Sequence, residues 1–457
     1  MITERIAHFI NEISSTDIPA EAFKSARLAI TDFLGVTLAG SKEEAGNIIA
    51  GYTRDMGGTG PSGVIGKGFK VPPYLASLAN GTMGHALDYD DFSFVFGGHS
   101  SVSLAPAILS VGEGINASGA DVLTAYIVGF EAGTCISSGV AQIHYLQGWH
   151  STNTIGSLAA TAAVAKLLKL NVHQIRMAIG IAASMTGGLR QNFGTMTKPL
   201  HAGNSAATGV LAAFLAHRGF TADENIIEAP LGYARVLGCR EEIDWQKAST
   251  NLGKSFSITS PGINFKPYPS CGGTLGVIDS ALYLRNQYEI DPSMVSEIIL
   301  GVSPFEAQGL IHHRPKTGLE GKFSLEYCTC RALMDGKVTL NDFTSEQVNQ
   351  PQVQSLIERT RIVQCYPMPV MGLEGEGRLN PQSVTIILKN DRKFSRETLF
   401  CKGTSNNPMT YEEFKEKYID CSSIVLDKRE VEKSFALLTN LETLEHIREL
   451  MAIVTQA

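Results

Sequence analysis

Four short segments of this chain gather ionisable side chains between glycines and apolar runs. The first is His85-Ala86-Leu87-Asp88-Tyr89-Asp90-Asp91, followed by Gly97-Gly98-His99-Ser100. Three carboxylates within four residues repel one another, so at least one pKa should rise unless cations or a metal ion sit nearby. A solvated loop, or Asp91 capping a helix, would account for the same residues. A metal reading has no His-Glu-x-x-His or comparable frame behind it. The second segment is Gly148-Trp149-His150-Ser151-Thr152. Ser151 or Thr152 could simply cap the next helix. A histidine at a helix start is also favoured in its neutral form, which suits a general acid or base.

The third segment is Thr195-Met196-Thr197-Lys198-Pro199-Leu200-His201-Ala202-Gly203. Pro199 marks a helix start and is expected to leave Lys198 just outside it. A lysine is usually a surface charge. One bounded by Met196, Pro199 and Leu200 is expected to be partly enclosed, where it would hold a carboxylate or move a proton. The fourth segment runs from Phe265-Lys266-Pro267-Tyr268 through Pro269-Ser270-Cys271-Gly272-Gly273-Thr274. Free N–H groups at a helix start near Gly272 would make an anion site, and glycines admit a close ligand. A domain hinge is the plainer alternative, and both readings can hold. Cys271 as a nucleophile would need a paired base. Neither a P-loop, nor a G-x-S-x-G elbow, nor a G-x-G-x-x-G between strand and helix occurs, so nucleotide, nicotinamide and serine-hydrolase chemistry lack support.

The elements that must carry these segments change in texture along the chain. Up to about residue 260 the spacing predicts helix after helix: 6–13, then from Ala20, then 75–87, 103–116, 121–138, 154–170, 172–185, 201–218 and 223–229. The helix over 154–170 is rich in alanine and glycine, which suits a central, closely packed position. No alternating strand pattern of useful length precedes residue 260. After Pro261, residues 295–302, 360–365, 384–388 and 394–398 read as strands, with a turn over 390–393. Helices over 272–287, 324–335 and 345–358 interleave with them. The tail, 411–417 and 431–452, is helical again. The fold class expected is mainly α: a large all-helical domain (1–261 plus 404–457) with an inserted smaller α+β lid domain (262–403). The joints would be Pro261-Gly262 and a segment near residue 403.

Composition narrows the function classes. The chain has 457 residues, 18% of them charged, and a formal charge of −7. Low charge content argues against disorder, and a net acidic chain argues against a nucleic-acid partner. Neither a signal peptide nor an apolar stretch long enough to span a membrane is evident, so no membrane partner is expected. The eight cysteines are dispersed. The closest pair, Cys328 and Cys330, does not have structural-zinc spacing, and reduced thiols in the cytoplasm are the default.

Taken in order, the four segments and Gly321-Lys322-Phe323-Ser324-Leu325-Glu326-Tyr327 resemble the signature blocks of the MmgE/PrpD family over essentially the whole chain. That family includes 2-methylcitrate dehydratase, cis-aconitate decarboxylase and iminodisuccinate epimerase. The resemblance implies an all-helical domain with an α+β lid, a homodimer, and no required cofactor or metal. Carried over block by block, it implies Asp88, His99, His150, Lys198 and Tyr327 as catalytic residues. His201, Lys266, Cys271, Gly272 and Gly273 are expected to bind substrate, a small di- or tricarboxylate. Dehydration is the first expectation, decarboxylation the second and epimerisation of a substituted succinate the third, with an inactive binding homologue as the non-enzyme alternative. Two departures stand out: Phe92 follows the carboxylate block where the family often has threonine, and His99 comes one residue later, after the apolar stretch 92–96. They remove polar contacts from one wall of the implied pocket.

Overall fold

The structure is a computed structural model that describes residues 1–238, 243–368 and 380–456. Its first half is built from long helices. Helix α1 (Ile2–Glu12) buries Ile2, Ile6 and Ile10, one face at helical spacing. Helix α2 (Ala20–Gly40) starts directly after Pro19 and is followed by α3 (Glu44–Gly57), which the sequence reading did not include. A two-stranded antiparallel sheet of β1 (Ser62–Val64) and β2 (Phe69–Val71) follows, shorter than any alternating pattern could reveal. Then come α4 (Pro73–His85), α5 (Ser101–Ile115), α6 (Gly119–Leu146), α7 (Ser151–Leu167), α8 (Val172–Met185) and α9 (Thr197–His217).

Helix α7 is buried along nearly its whole length, and α9 packs against both α7 and α4. Small residues set that spacing. A Cβ on Gly203 of α9 would lie 2.2 Å from the Leu78 carbonyl oxygen of α4, and one on Gly81 of α4 would lie 2.8 Å from Gly203 Cα. The contact brings the C-terminal end of α4 beside the first turns of α9. Expected helix 223–229 is instead a run of turns. Asp223 Oδ1 accepts the Asn225 N–H at 2.8 Å, a local bond that competes with helical pairing.

The α+β region holds a four-stranded sheet in the order β4-β3-β5-β6: β3 (Val295–Val302), β4 (Thr360–Gln364), β5 (Gln382–Leu388) and β6 (Lys393–Thr398). β3 runs parallel to β4, with Ile298 opposite Thr360, and antiparallel to β5, with Leu300 opposite Val384. Val384, Ile386 and Leu388 alternate inward along β5. Beneath them lie helices Leu275–Tyr288 and Leu325–Asp335, which form a separate apolar core with Ile298, Leu300 and Val277. The expected helix 345–358 is two, Ser345–Val348 and Pro351–Ile357, because Pro351 lacks an N–H and disfavours helix at the residue before it. The expected tail helix 431–452 is likewise Lys428–Thr439 and Arg448–Val454, separated by a short 3-10 turn. Tail residues Tyr418, Leu438 and Leu450 join the first core alongside Phe33 and Tyr126.

The two regions are joined by backbone pairing along a crossing segment. Phe92 and Asn264 exchange backbone hydrogen bonds at 3.0 and 2.9 Å. Ser93 Oγ donates to Gly262 O at 3.0 Å, and Phe265 N–H donates to Gly403 O at 2.8 Å. The 88–93 loop is thus stitched to the segment that leads into the α+β region.

Candidate active site

The site forms where the C-terminal end of α4 meets the N-terminal ends of α5, α7 and α9. Three helix starts carry partial positive charge toward one place, which favours carboxylates there and disfavours protonated histidines. Helix α4 ends on His85, and Asp88 turns the chain with φ +50. A left-handed non-glycine residue is strained, and here it aims the carboxylate inward. Asp88 Oδ1 accepts from Lys198 Nζ at 2.9 Å and Lys266 Nζ at 2.8 Å, and Lys266 also bonds the Asp88 carbonyl at 2.7 Å. Burial alone would raise the Asp88 carboxyl, but the two ammonium groups hold it far below the usual carboxylate range.

Asp90 joins two histidines. Its Oδ1 lies 2.8 Å from His85 Nδ1, and its Oδ2 lies 2.9 Å from His99 Nδ1. His99 Nδ1 also lies 2.8 Å from the Asp91 carbonyl oxygen. Both neighbours are acceptors, so Nδ1 carries the proton, and in the neutral ring Nε2 is the free base. Burial pushes His85 down to about 3, against the pull of Asp90, so His85 is neutral. Asp90 stays ionised, held well below its usual range despite burial by the two imidazoles. Asp91 behaves oppositely: burial, with the Asp32 charge adding to it, lifts it to about 8, while its bonds from Ser101 pull the other way. Its Oδ1 accepts the Ser101 N–H at 3.2 Å at the start of α5, so Asp91 is the helix-capping carboxylate. One carboxyl of the three is raised, though by burial and Asp32 before the crowding of the three among themselves.

His150 precedes α7, and its Nδ1 lies 3.0 Å from His201 Nδ1 on the facing α9. Burial and then the Lys198 charge push both rings below their normal range, His201 to about 4. Lys198 lies inside the first turn of α9, not outside it, because a proline at the next position has no intrahelical N–H partner to lose there. Its ammonium sits 4.7 Å from the Phe323 ring centroid and 5.2 Å from that of Phe193.

A cleft with about 100 Å³ of internal space opens on this cluster. His99, His150, Lys198, Cys271, Gly272 and Gly273 line it, and Phe92, Phe94, Phe193, Phe305 and Tyr145 make most of the remaining wall. The apolar 92–96 stretch therefore reaches the cleft through Phe92 and Phe94. Three expectations need correction. Lys266 is fully buried behind Asp88, so it holds that carboxylate and does not clamp a ligand. His201 lies behind His150 and orients it. Tyr327 is fully buried in the α+β core, its hydroxyl donating to the Asp342 carbonyl and its ring edge-on to Phe343. Ser324 caps that helix by accepting the Tyr327 N–H, and this turns the tyrosine away from the cleft. Burial raises the Cys271 thiol, which argues against a thiolate nucleophile.

His85, Asp88, Asp90 and His99 offer donor atoms within 4.8 Å of one another, a set that could hold a metal ion in kind. The two ammonium groups already on Asp88 Oδ1 oppose a further cation at that oxygen. Sequence reasoning passed over Asp90 and His85 as site residues, although both stood in the first segment. It also missed Tyr145, Phe193 and Phe305, which no motif marks. None of the helices among the described residues is long and apolar enough to cross a membrane. The cysteines among those residues are free thiols, and Cys239 lies outside them.

Known proteins resemble this chain in sequence. Residues 4–246 match the MmgE/PrpD N-terminal domain and residues 268–443 the MmgE/PrpD C-terminal domain. The chain is 26% identical to a cis-aconitate decarboxylase of Mus musculus, over 97% of this chain and 91% of the relative. It is 25% identical to a cis-aconitate decarboxylase of Aspergillus terreus, over 99% and 96%. It is 24% identical to a mitochondrial 2-methylcitrate dehydratase of Yarrowia lipolytica, over 79% and 72%.

Proposed function

Because the chain belongs to the MmgE/PrpD family, we propose that it is a lyase acting on a citrate- or aconitate-type tricarboxylate by proton transfer next to a carboxylate. The observation that carries this reading is the pair of histidines on the cleft wall, each oriented from behind: His99 by Asp90 and His150 by His201. An imidazole held in place from behind, with its other nitrogen toward a ligand, is the arrangement general acid–base catalysis needs.

Between the lyase reactions, loss of carbon dioxide is favoured by the aromatic wall. A carboxylate placed against Phe92, Phe94 and Phe305 loses hydration, which raises its energy relative to neutral carbon dioxide. In such a step the bond from carbon to the leaving carboxylate breaks. Its electron pair forms a new double bond to the neighbouring alkene carbon, the old π pair moves to the far alkene carbon, and that carbon takes a proton from an acid on the opposite wall. His99, His150 and Lys198 are the candidates for that acid. Dehydration is the second reading, supported by the Lys198 ammonium, which could protonate a leaving hydroxyl. As part of the proposal, residues 262–403 cover the cleft and the chain works as a homodimer in the cytoplasm. Incubation with cis-aconitate and with 2-methylcitrate, followed by proton NMR, separates the reactions. Release of carbon dioxide supports the first reading and water loss from methylcitrate the second.

A further inference from the structure

The inner cluster is close to electroneutral. Lys198 and Lys266 both face Asp88 Oδ1, Asp90 adds a second carboxylate, and His85, His150 and His201 are held neutral. Two ammonium groups against two carboxylates, with the buried Lys322 ammonium already bonded to the Pro269 carbonyl and over the Phe343 ring, leave little to balance a ligand with two or three negative charges. A further cation stands just behind the cleft wall, against two of the rings that line it. Arg190 opens the short turn Arg190–Asn192, and its backbone N–H bonds Gly148 O at 2.9 Å, close to His150. Its Nη1 donates to the Tyr145 carbonyl at 2.9 Å. The guanidinium carbon lies 3.9 Å from the centroid of the Tyr145 ring and 6.0 Å from that of Phe193, and both rings line the cleft. Among the described residues Arg190 pairs with no carboxylate, and its Nε is buried without a hydrogen-bond partner.

An unpartnered guanidinium N–H in a buried setting carries a desolvation cost that a carboxylate would relieve. Tyr145 belongs to the same arm. Its ring stacks on Phe305 at 5.5 Å, and burial raises its hydroxyl to about 12 despite the Arg190 charge, so it remains a donor at working pH. We propose that Arg190, with the Tyr145 hydroxyl beside it, reads a distal carboxylate of the ligand and so sets the preference for polycarboxylates over simpler acids. The proposal rests on the reading of the cleft as a carboxylate site. It assigns the discrimination to residues outside all five sequence blocks.

Titration calorimetry of the full chain with three non-reacting probes tests it: tricarballylate, glutarate and butyrate, which carry three, two and one carboxylates. Wild type should bind them in that order. Arg190→Gln should weaken tricarballylate about 10- to 100-fold, the loss expected for one charged hydrogen-bonded contact, and should weaken butyrate far less. Arg190→Lys keeps the charge without the planar fork and should fall between. Tyr145→Phe keeps the stacked ring and should lose about 2- to 10-fold; it decides the matter should Arg190→Gln fail to fold. Wild type that binds none of the probes overturns the carboxylate-site reading and this proposal together. Wild type that binds tricarballylate, with Arg190→Gln and Tyr145→Phe within twofold of it, overturns the proposal alone.

Discussion

Replacing Asp90 by asparagine tests whether the two histidines act through a shared carboxylate. Asp90 Oδ1 accepts from His85 Nδ1 at 2.8 Å, while Oδ2 lies 2.9 Å from His99 Nδ1 as an ion-pair contact, the His99 N–H being aligned on the Asp91 carbonyl. Asparagine offers one accepting oxygen and one donating amide, so one imidazole must flip its tautomer or lose its bond. One charge-assisted bond of roughly 1.5–3 kcal/mol becomes a neutral bond of about 1 kcal/mol, and the charge beside His99 is lost, worth about 0.5–1 kcal/mol more. The net loss is about 1–3 kcal/mol. If that loss falls on the transition state, kcat drops on the order of 5- to 150-fold. Asp90 does not line the cleft, so KM should change little. Steady-state kinetics on whichever acid the wild type turns over reads both quantities. A variant with kcat within threefold of wild type would refute the proposed role. So would a loss confined to KM.

The other expectations follow from the same geometry. Lys198→Ala removes a buried cation from Asp88, so it should lose about 30- to 1000-fold in rate. It should also melt lower, by roughly 1–3 kcal/mol of stability, because Lys266 still faces the carboxylate. The exposed Lys169 is the control, and Lys169→Ala should match wild type in rate and melting. Equal kinetics for the two variants would sink the assignment of Lys198. Tyr327→Phe loses one hydrogen bond to the Asp342 carbonyl, about 0.5–1.5 kcal/mol, and should keep its rate within threefold. A 30-fold rate loss would return Tyr327 to the catalytic set. Asp91, raised to about 8, has a folded pKa above its unfolded one. Its contribution to stability is therefore complete below about pH 4 and fades as pH rises toward 8, by about 1.4 kcal/mol per unit. Asp91→Asn cannot ionise and should show a shallower fall in melting temperature over that range; parallel curves would contradict the raised pKa.

The helical half was readable because its elements are long and amphipathic or uniformly small. The 172–185 helix was expected at the bounds it has, and β3 likewise. Short elements escaped: three-residue strands carry no period, and the Asp223 side-chain bond to Asn225 outweighs the helical pattern around it. Motifs placed Asp88, His99, His150 and Lys198 in one cluster before any coordinates. They could not give side-chain direction. Tyr327 sits in a block and faces the core, while Lys266 faces Asp88 rather than the cleft. Tyr145 was invisible because it ends a long helix with nothing to distinguish it from a packing residue. Its role depends on Arg190, 45 residues away in sequence, crossing above its ring.

The central claim is tested most directly by proton NMR of the purified chain in deuterated buffer containing EDTA. The substrates are cis-aconitate, 2-methylcitrate and iminodisuccinate, presented separately. The expected result is loss of the cis-aconitate signals and growth of an alkene product with one carboxylate fewer and one deuteron at the protonated carbon. Folded protein that leaves cis-aconitate and 2-methylcitrate unchanged, and only exchanges one α-proton of iminodisuccinate, would contradict the lyase assignment. Turnover that EDTA abolishes and zinc restores would instead make His85, Asp88, Asp90 and His99 a metal site.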